Sequence, residues 1–155
     1  MRLLLRHHTW KFKNLIDYGN PMKSVNHHIE PNLLVVDNDP TNRMVVRLLM
    51  TRRGFHVTEA SDAEEATTKV SERLFFAVLV DLSTPDLDGL EVTKLIRERC
   101  GSNGQVPIIA LSAQSIKDNL DLYKSVGMAG QISKPFDPVE ACTLLSLLCV
   151  TGQHH

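Results

Sequence analysis

The sequence predicts an α/β domain built on a doubly wound, five-stranded parallel sheet, and three observations carry that prediction. From Asn32 onward, short β-branched runs alternate five times with longer helical stretches. The runs are apolar almost throughout, which suits strands covered on both faces. The stretches between them are long enough for crossovers that return each strand parallel to its neighbour.

The elements follow in order. NLLVVD (residues 32–37) is the first strand, and PTNRMVVRLLMTRRG follows it. Pro40 after Asp39, with Gly54 past the end, matches Pro at the first helical position and Gly beyond the last. HVTEA (56–60) is the second strand; the next helix opens on Ser61 and Glu64, spaced as a capping box. AVLVD (77–81) precedes GLEVTKLIRERC, where Leu90, Leu95 and Ile96 fall near one face, and a GSNG loop ends that helix. VPIIALS (106–112) leads to SIKDNLDLYKSVG, closed by Gly127. GQIS (130–133) leads to DPVEACTLLSLLCV, with Asp137 as cap, Pro138 first and Glu140 three positions after the cap.

The chain has 155 residues, enough for one domain with a real core. A net charge of -1 gives no pull towards nucleic acid or an anionic membrane, and no apolar run approaches the ~20 residues of a membrane span. Cys100, Cys142 and Cys149 suit buried thiols in a reducing, cytoplasmic compartment better than a disulfide framework. Residues 1–30 differ in composition: five Lys/Arg, two acids, four of the seven His and the only Trp. Their apolar run of three is too short for a signal peptide. The expected division is a tail or linker over 1–30, a domain over 31–150 and a short tail over 151–155. Met22 is a second natural start, and the His27–His28 pair reads as solvated.

In doubly wound sheets, function sits outside the carboxyl ends of the strands. Those ends carry Asp37, Asp81, Ser112 and Lys134, while the second strand ends in Glu59-Ala60. In the flavodoxin-like order 2-1-3-4-5 the second strand is an edge, so the four contributing strands are neighbours. Paired carboxylates are the hard oxygen ligands that Mg²⁺ prefers. A carboxylate can attack phosphorus to give an acyl phosphate, and a cation, an ammonium and a hydroxyl would share the phosphoryl charge. The crevice is equipped to place a phosphoryl group on an aspartate.

LLVVDNDPTNR, VLVDLSTPDLDGLEV, PIIALSA and ISKPF, in that order, resemble the response-regulator receiver domain of two-component and phosphorelay signalling. The resemblance covers residues 31–150. It implies Asp81 as phosphoacceptor, with Mg²⁺ held by Asp37, Asn38, Asp81 and the backbone carbonyl of Ser83. It implies that Ser112 and Lys134 contact the phosphoryl group and that Pro135 follows a cis bond. The donor would be a histidine kinase or a histidine phosphotransfer protein, and the chain would be a signalling domain rather than an enzyme. Asn42-Arg43 resembles receivers attached to hybrid kinases. Cognate kinase, output and oligomeric state stay open.

Two positions depart from the family pattern. Asn38 stands where a second acid is usual, which predicts weaker metal binding, with Asp39 either compensating or capping the helix. Gln131 stands where an aromatic ring is usual and cannot repeat that ring's inward swing. The resemblance implies that Ser83 and Gln114 border the path of the hydrolytic water; Gln114 has the donor and acceptor to orient it, and Ser83 is small enough to leave it open. Other readings begin from the same residues. DNDPT fits the nucleophile loop of haloacid dehalogenase-like phosphatases, but Asp81 precedes Ser112 and Lys134, which is the wrong order. Flavin binding lacks a phosphate-cradling loop after the first strand. A receiver-like module that is never phosphorylated and acts by protein contact draws support from Asn38 and Gln131, and opposition from Asp81, Ser112 and Lys134.

Overall fold

The computed structural model describes residues 31–84, 86–113 and 120–152, with side chains at 120 and 149–152 excluded. The N-terminal 30 residues, Gln114, the Cys149 side chain and the last three residues lie outside that set. Five strands form one sheet: β1 (Asn32–Val36), β2 (His56–Ala60), β3 (Ala77–Asp81), β4 (Ile108–Ser112) and β5 (Gly130–Ser133). All pairings are parallel, in the order β2-β1-β3-β4-β5. The helices are α1 (Pro40–Thr51), α2 (Ala63–Glu72), α3 (Gly89–Arg99), α4 (Leu120–Ser125) and α5 (Pro138–Gly152).

Strand alternation sorts the core into two layers. Leu33, Val35, Leu79, Ile109, Leu111 and Ile132 meet Val46 and Met50 of α1 and Ala141, Cys142 and Leu145 of α5. On the other face, Leu34, Val36, Val78, Val80, Ile108 and Ala110 meet Val70 of α2, Val92 and Ile96 of α3 and Tyr123 of α4. Each such fully buried side chain contributes roughly 1.5–3 kcal/mol, so neither layer is dispensable. Cys100 and Cys142 are buried free thiols.

The helix starts follow local chemistry, with one shift from expectation. Asp39 caps α1, its Oδ1 accepting from Thr41 N–H at 2.8 Å, with Pro40 in the first turn. In α2 the cap is Asp62 rather than Ser61: Asp62 Oδ1 accepts from Glu65 N–H at 2.8 Å. Glu65, not Glu64, reaches back to the Ser61 N–H at 2.8 Å. A carboxylate one residue on outcompetes the hydroxyl as the cap, and Ser61, left before the helix, is held by Glu65 instead. Asp137 caps α5 through Val139 N–H at 2.8 Å. The buried face of α3 is Val92, Thr93 and Ile96, with Leu90 and Leu95 only partly covered. The GSNG stretch is a 3₁₀ turn over Gly101–Gln105.

That turn is stitched to the sheet by Arg97. Its Nη1 donates to the carbonyls of Gly104 at 2.5 Å and Val106 at 2.6 Å, and its Nη2 to that of Gly127 at 2.6 Å. One guanidinium therefore joins the end of α3 to the loops before β4 and β5. Gly127 takes φ +89, a conformation natural to glycine, and a Cβ there would approach Arg97 Nε to 3.1 Å.

Candidate functional site

The carboxyl ends of β1, β3 and β5 bring three charged side chains onto one face of the sheet. Asp81 pairs in register with Leu111, and Asp37 and Lys134 each lie one step past a paired residue, Val36 and Ser133. Alternation puts Asp37, Asp81 and Lys134 above the α1/α5 layer. Ser112 pairs with Ser133 and belongs to the opposite face, with Ala110 below it. It is buried at the tip of β4, so it borders the crevice from the other layer.

Asp81 is the centre of the contacts. It is 0% exposed, and Lys134 Nζ stands 2.9 Å from its Oδ2. That contact is an ion pair rather than an aligned hydrogen bond. Oδ1 accepts from Ser83 N–H at 2.8 Å and from the Ser83 hydroxyl at 2.5 Å. Lys134 Nζ also donates to Ser83 Oγ at 2.6 Å. The Ser83 hydroxyl thus bridges the ammonium and the carboxylate, a role not contained in reading Ser83 as a backbone-carbonyl ligand with a small side chain. The Lys134–Pro135 peptide bond is cis.

Asp37 is 2% exposed, its Oδ1 accepting from Asp39 N–H at 2.8 Å. Burial, opposed by the Asp39 amide and reinforced by the adjacent Asp81, pushes its carboxyl up to about 6. Burial alone would raise Asp81 too, but the Ser83 hydroxyl, Lys134 and the Ser83 amide together hold it below the usual carboxylate range. The neighbouring negative charge of Asp81 disfavours ionisation of Asp37.

Asn38 follows Asp37, and its Oδ1 is buried with no hydrogen-bond partner. Two buried carboxylates and an orphaned amide oxygen form a donor set of hard oxygens, which fits a divalent cation such as Mg²⁺. Among the described residues no three His, Cys, Asp or Glu side chains gather as a metal cluster, and the crevice itself supplies two carboxylates. Asp39 caps α1 and is exposed, so it faces away from this set.

Two contacts were not read from the sequence. Arg43 Nη1 donates to the Asp37 carbonyl at 2.6 Å, and the Asn42 side chain donates to the Asp37 carboxylate. Side chains in a first helical turn lean back towards the N-terminus, so a helix starting three residues after Asp37 signals this arrangement. Gly89 opens α3 under the β3 tip. A Cβ there would overlap Leu82 and come within 3.0 Å of the Asp81 carbonyl oxygen, so the helix can approach this closely only with glycine. Gln131 is 8% exposed, buried on the Ala110 side of the sheet.

Fold and site together define a class: a five-stranded doubly wound domain with paired carboxylates and a lysine at adjacent strand ends. The chain belongs to the response regulator receiver domain family, whose sequence model matches residues 33–146. That family places it in two-component phosphorelay signalling. It is 32% identical over 116 residues to hybrid signal transduction histidine kinase I of Dictyostelium discoideum, covering 71% of this chain and 7% of that one. It is also 32% identical over 104 residues to sensor protein EvgS of Escherichia coli, covering 67% of this chain and 8% of that one. The chain therefore spans under a tenth of either protein. Among solved structures, it resembles the receiver domain of sensor histidine kinase PA1611 of Pseudomonas aeruginosa. The TM-score is 0.66 and the identity 30%, covering 76% of this chain and 96% of that one. That neighbour carries a magnesium ion in its active-site cleft. No described helix is long and apolar enough to cross a membrane.

Proposed function

We propose that residues 31–150 accept a phosphoryl group on Asp81 from the phosphohistidine of a histidine kinase or a histidine phosphotransfer protein, in a Mg²⁺-dependent reaction. The observation that carries this reading is the buried Asp81 carboxylate, ion-paired to Lys134 beside the partnerless Asn38 Oδ1. A module acting by contact alone has no use for such a cluster, which is costly to bury.

Asp37, Asn38, Asp81 and the Ser83 carbonyl are the residues that would hold Mg²⁺. When bound, the ion supplies charge neutralisation and orientation of the phosphoryl oxygens. Oδ1 of Asp81 is committed to the two Ser83 donors, which leaves Oδ2 as the nucleophile. Its lone pair forms the new P–O bond as the P–N bond of phosphohistidine breaks, and the electron pair leaves with the imidazole. Lys134 moves from the carboxylate to a phosphoryl oxygen, and the Ser112 hydroxyl donates to another. Free, buried Cys100 and Cys142 support a reducing compartment such as the cytoplasm.

Incubation with a small phosphodonor and Mg²⁺, followed by intact mass, tests the reading. The parent should gain one phosphoryl group and Asp81→Asn none. Label that survives in Asp81→Asn and disappears in Asp37→Asn would replace this mechanism with a phosphatase-like one.

A further inference from the structure

We infer that Arg43 is a positioning residue that presets the Asn38 amide for a divalent cation, by pinning the peptide group that joins Asn38 to Asp37. The inference rests on the Mg²⁺ reading above. Arg43 Nη1 donates to the Asp37 carbonyl oxygen at 2.6 Å. That oxygen lies in the rigid plane between Asp37 and Asn38. Fixing its direction fixes the rotation of the plane and so restricts the φ at which the Asn38 side chain leaves the backbone.

The rest of Asp37 is held independently. Its N–H donates to the Ala60 carbonyl at 3.1 Å, and its carboxylate accepts from Asp39 N–H at 2.8 Å and from Asn42. Asn38 Oδ1 has no such hold, being buried without a partner. A neutral ligand gains nothing from long-range attraction, so its contribution depends on being already in place.

Arg43 does not gain an ion pair from this position. Among the described residues no acid pairs with it, and its Nε is buried without an acceptor. A guanidinium beside a cation site also repels the cation. Charge and orientation therefore predict opposite outcomes when Arg43 is replaced, which makes the two roles separable.

The experiment is calorimetric Mg²⁺ titration of the metal-free full chain at fixed ionic strength, for the parent, Arg43→Lys and Arg43→Gln. Circular dichroism confirms that each is folded at the titration temperature, so a loss of global stability does not move the readout. Arg43→Gln should bind Mg²⁺ roughly 3- to 10-fold more weakly, the scale of one hydrogen bond. Arg43→Lys, which can reach the carbonyl without the planar fork, should fall between it and the parent. Equal or tighter binding by Arg43→Gln overturns the inference in favour of charge repulsion. If Arg43→Gln does not fold, Arg43→Lys decides, and parent-like affinity there overturns it. A parent that binds no Mg²⁺ overturns the metal reading and this inference together; a parent that binds, matched by Arg43→Gln, overturns the positioning role alone.

Discussion

Raising the pH from about 5 to about 7 in the presence of a chelator should destabilise this protein, and Asp37 should be the cause. Its folded-state carboxyl titrates near 6 against an ordinary value of 3.8. Between those values the unfolded chain has released the proton while the native state still holds it, so native stability falls as pH rises through the window. Linkage with those two values gives a loss on the order of 1 kcal/mol between pH 5 and pH 7, or a few °C in melting temperature for a domain of this size. Asp81 is shifted downwards, so its own contribution changes below this window. Asp37→Asn keeps an acceptor for the Asp39 amide and cannot ionise. Metal-free Asp37→Asn should therefore lack this slope and exceed the parent at pH 7. Saturating Mg²⁺ at pH 7 should stabilise the parent far more than the variant. Melting curves of both proteins at pH 5, 6 and 7, with chelator and with Mg²⁺, provide the measurement. Parallel pH slopes for parent and variant would show that Asp37 is not raised, and the account of the carboxyl pair would fail.

Two further outcomes follow from named contacts. Ser83→Ala removes the hydroxyl bridge between Lys134 and Asp81 and should speed phosphorylation by a small phosphodonor roughly 2- to 10-fold, the scale of one hydrogen bond; a slower time course by intact mass would show that the hydroxyl assists the reaction instead. Arg97→Ala strands three backbone carbonyls and should cost about 3 kcal/mol in urea unfolding, with Arg97→Lys recovering only part; a loss below about 1 kcal/mol would mean that water replaces the guanidinium freely.

What the sequence made legible is what repeats or alternates. Five near-continuous apolar runs located the strands, because a parallel sheet buried on both faces leaves no polar alternation to confuse the period. Strand ends then pointed to Asp37, Asp81 and Lys134, since position along a strand fixes where a side chain emerges. The capping box of α2 came out one residue early because Ser61 and Asp62 compete for one role and only geometry chooses. The face of each strand end was less legible: the register seats Ser112 on the layer opposite Asp37, Asp81 and Lys134, from which it borders the crevice. The contacts of Arg97 left no signal, because its guanidinium binds only backbone carbonyls. A carbonyl is present at every residue, so no partner residue marks the contact in the sequence.

That choice of acceptor has a consequence of its own for Arg97. Among the described residues no carboxylate pairs with it, so added electrolyte has no ion pair to weaken there. Acidification has no acidic partner to neutralise. The α3 corner and the strand tips therefore answer to different solution variables. Protons, and on the proposed function divalent ions, act on the crevice of Asp37 and Asp81, while the corner that carries the loops before β4 and β5 has no acidic partner for either to act on. Buffer conditions can loosen or tighten one end of the sheet without disturbing the stitch on its far side.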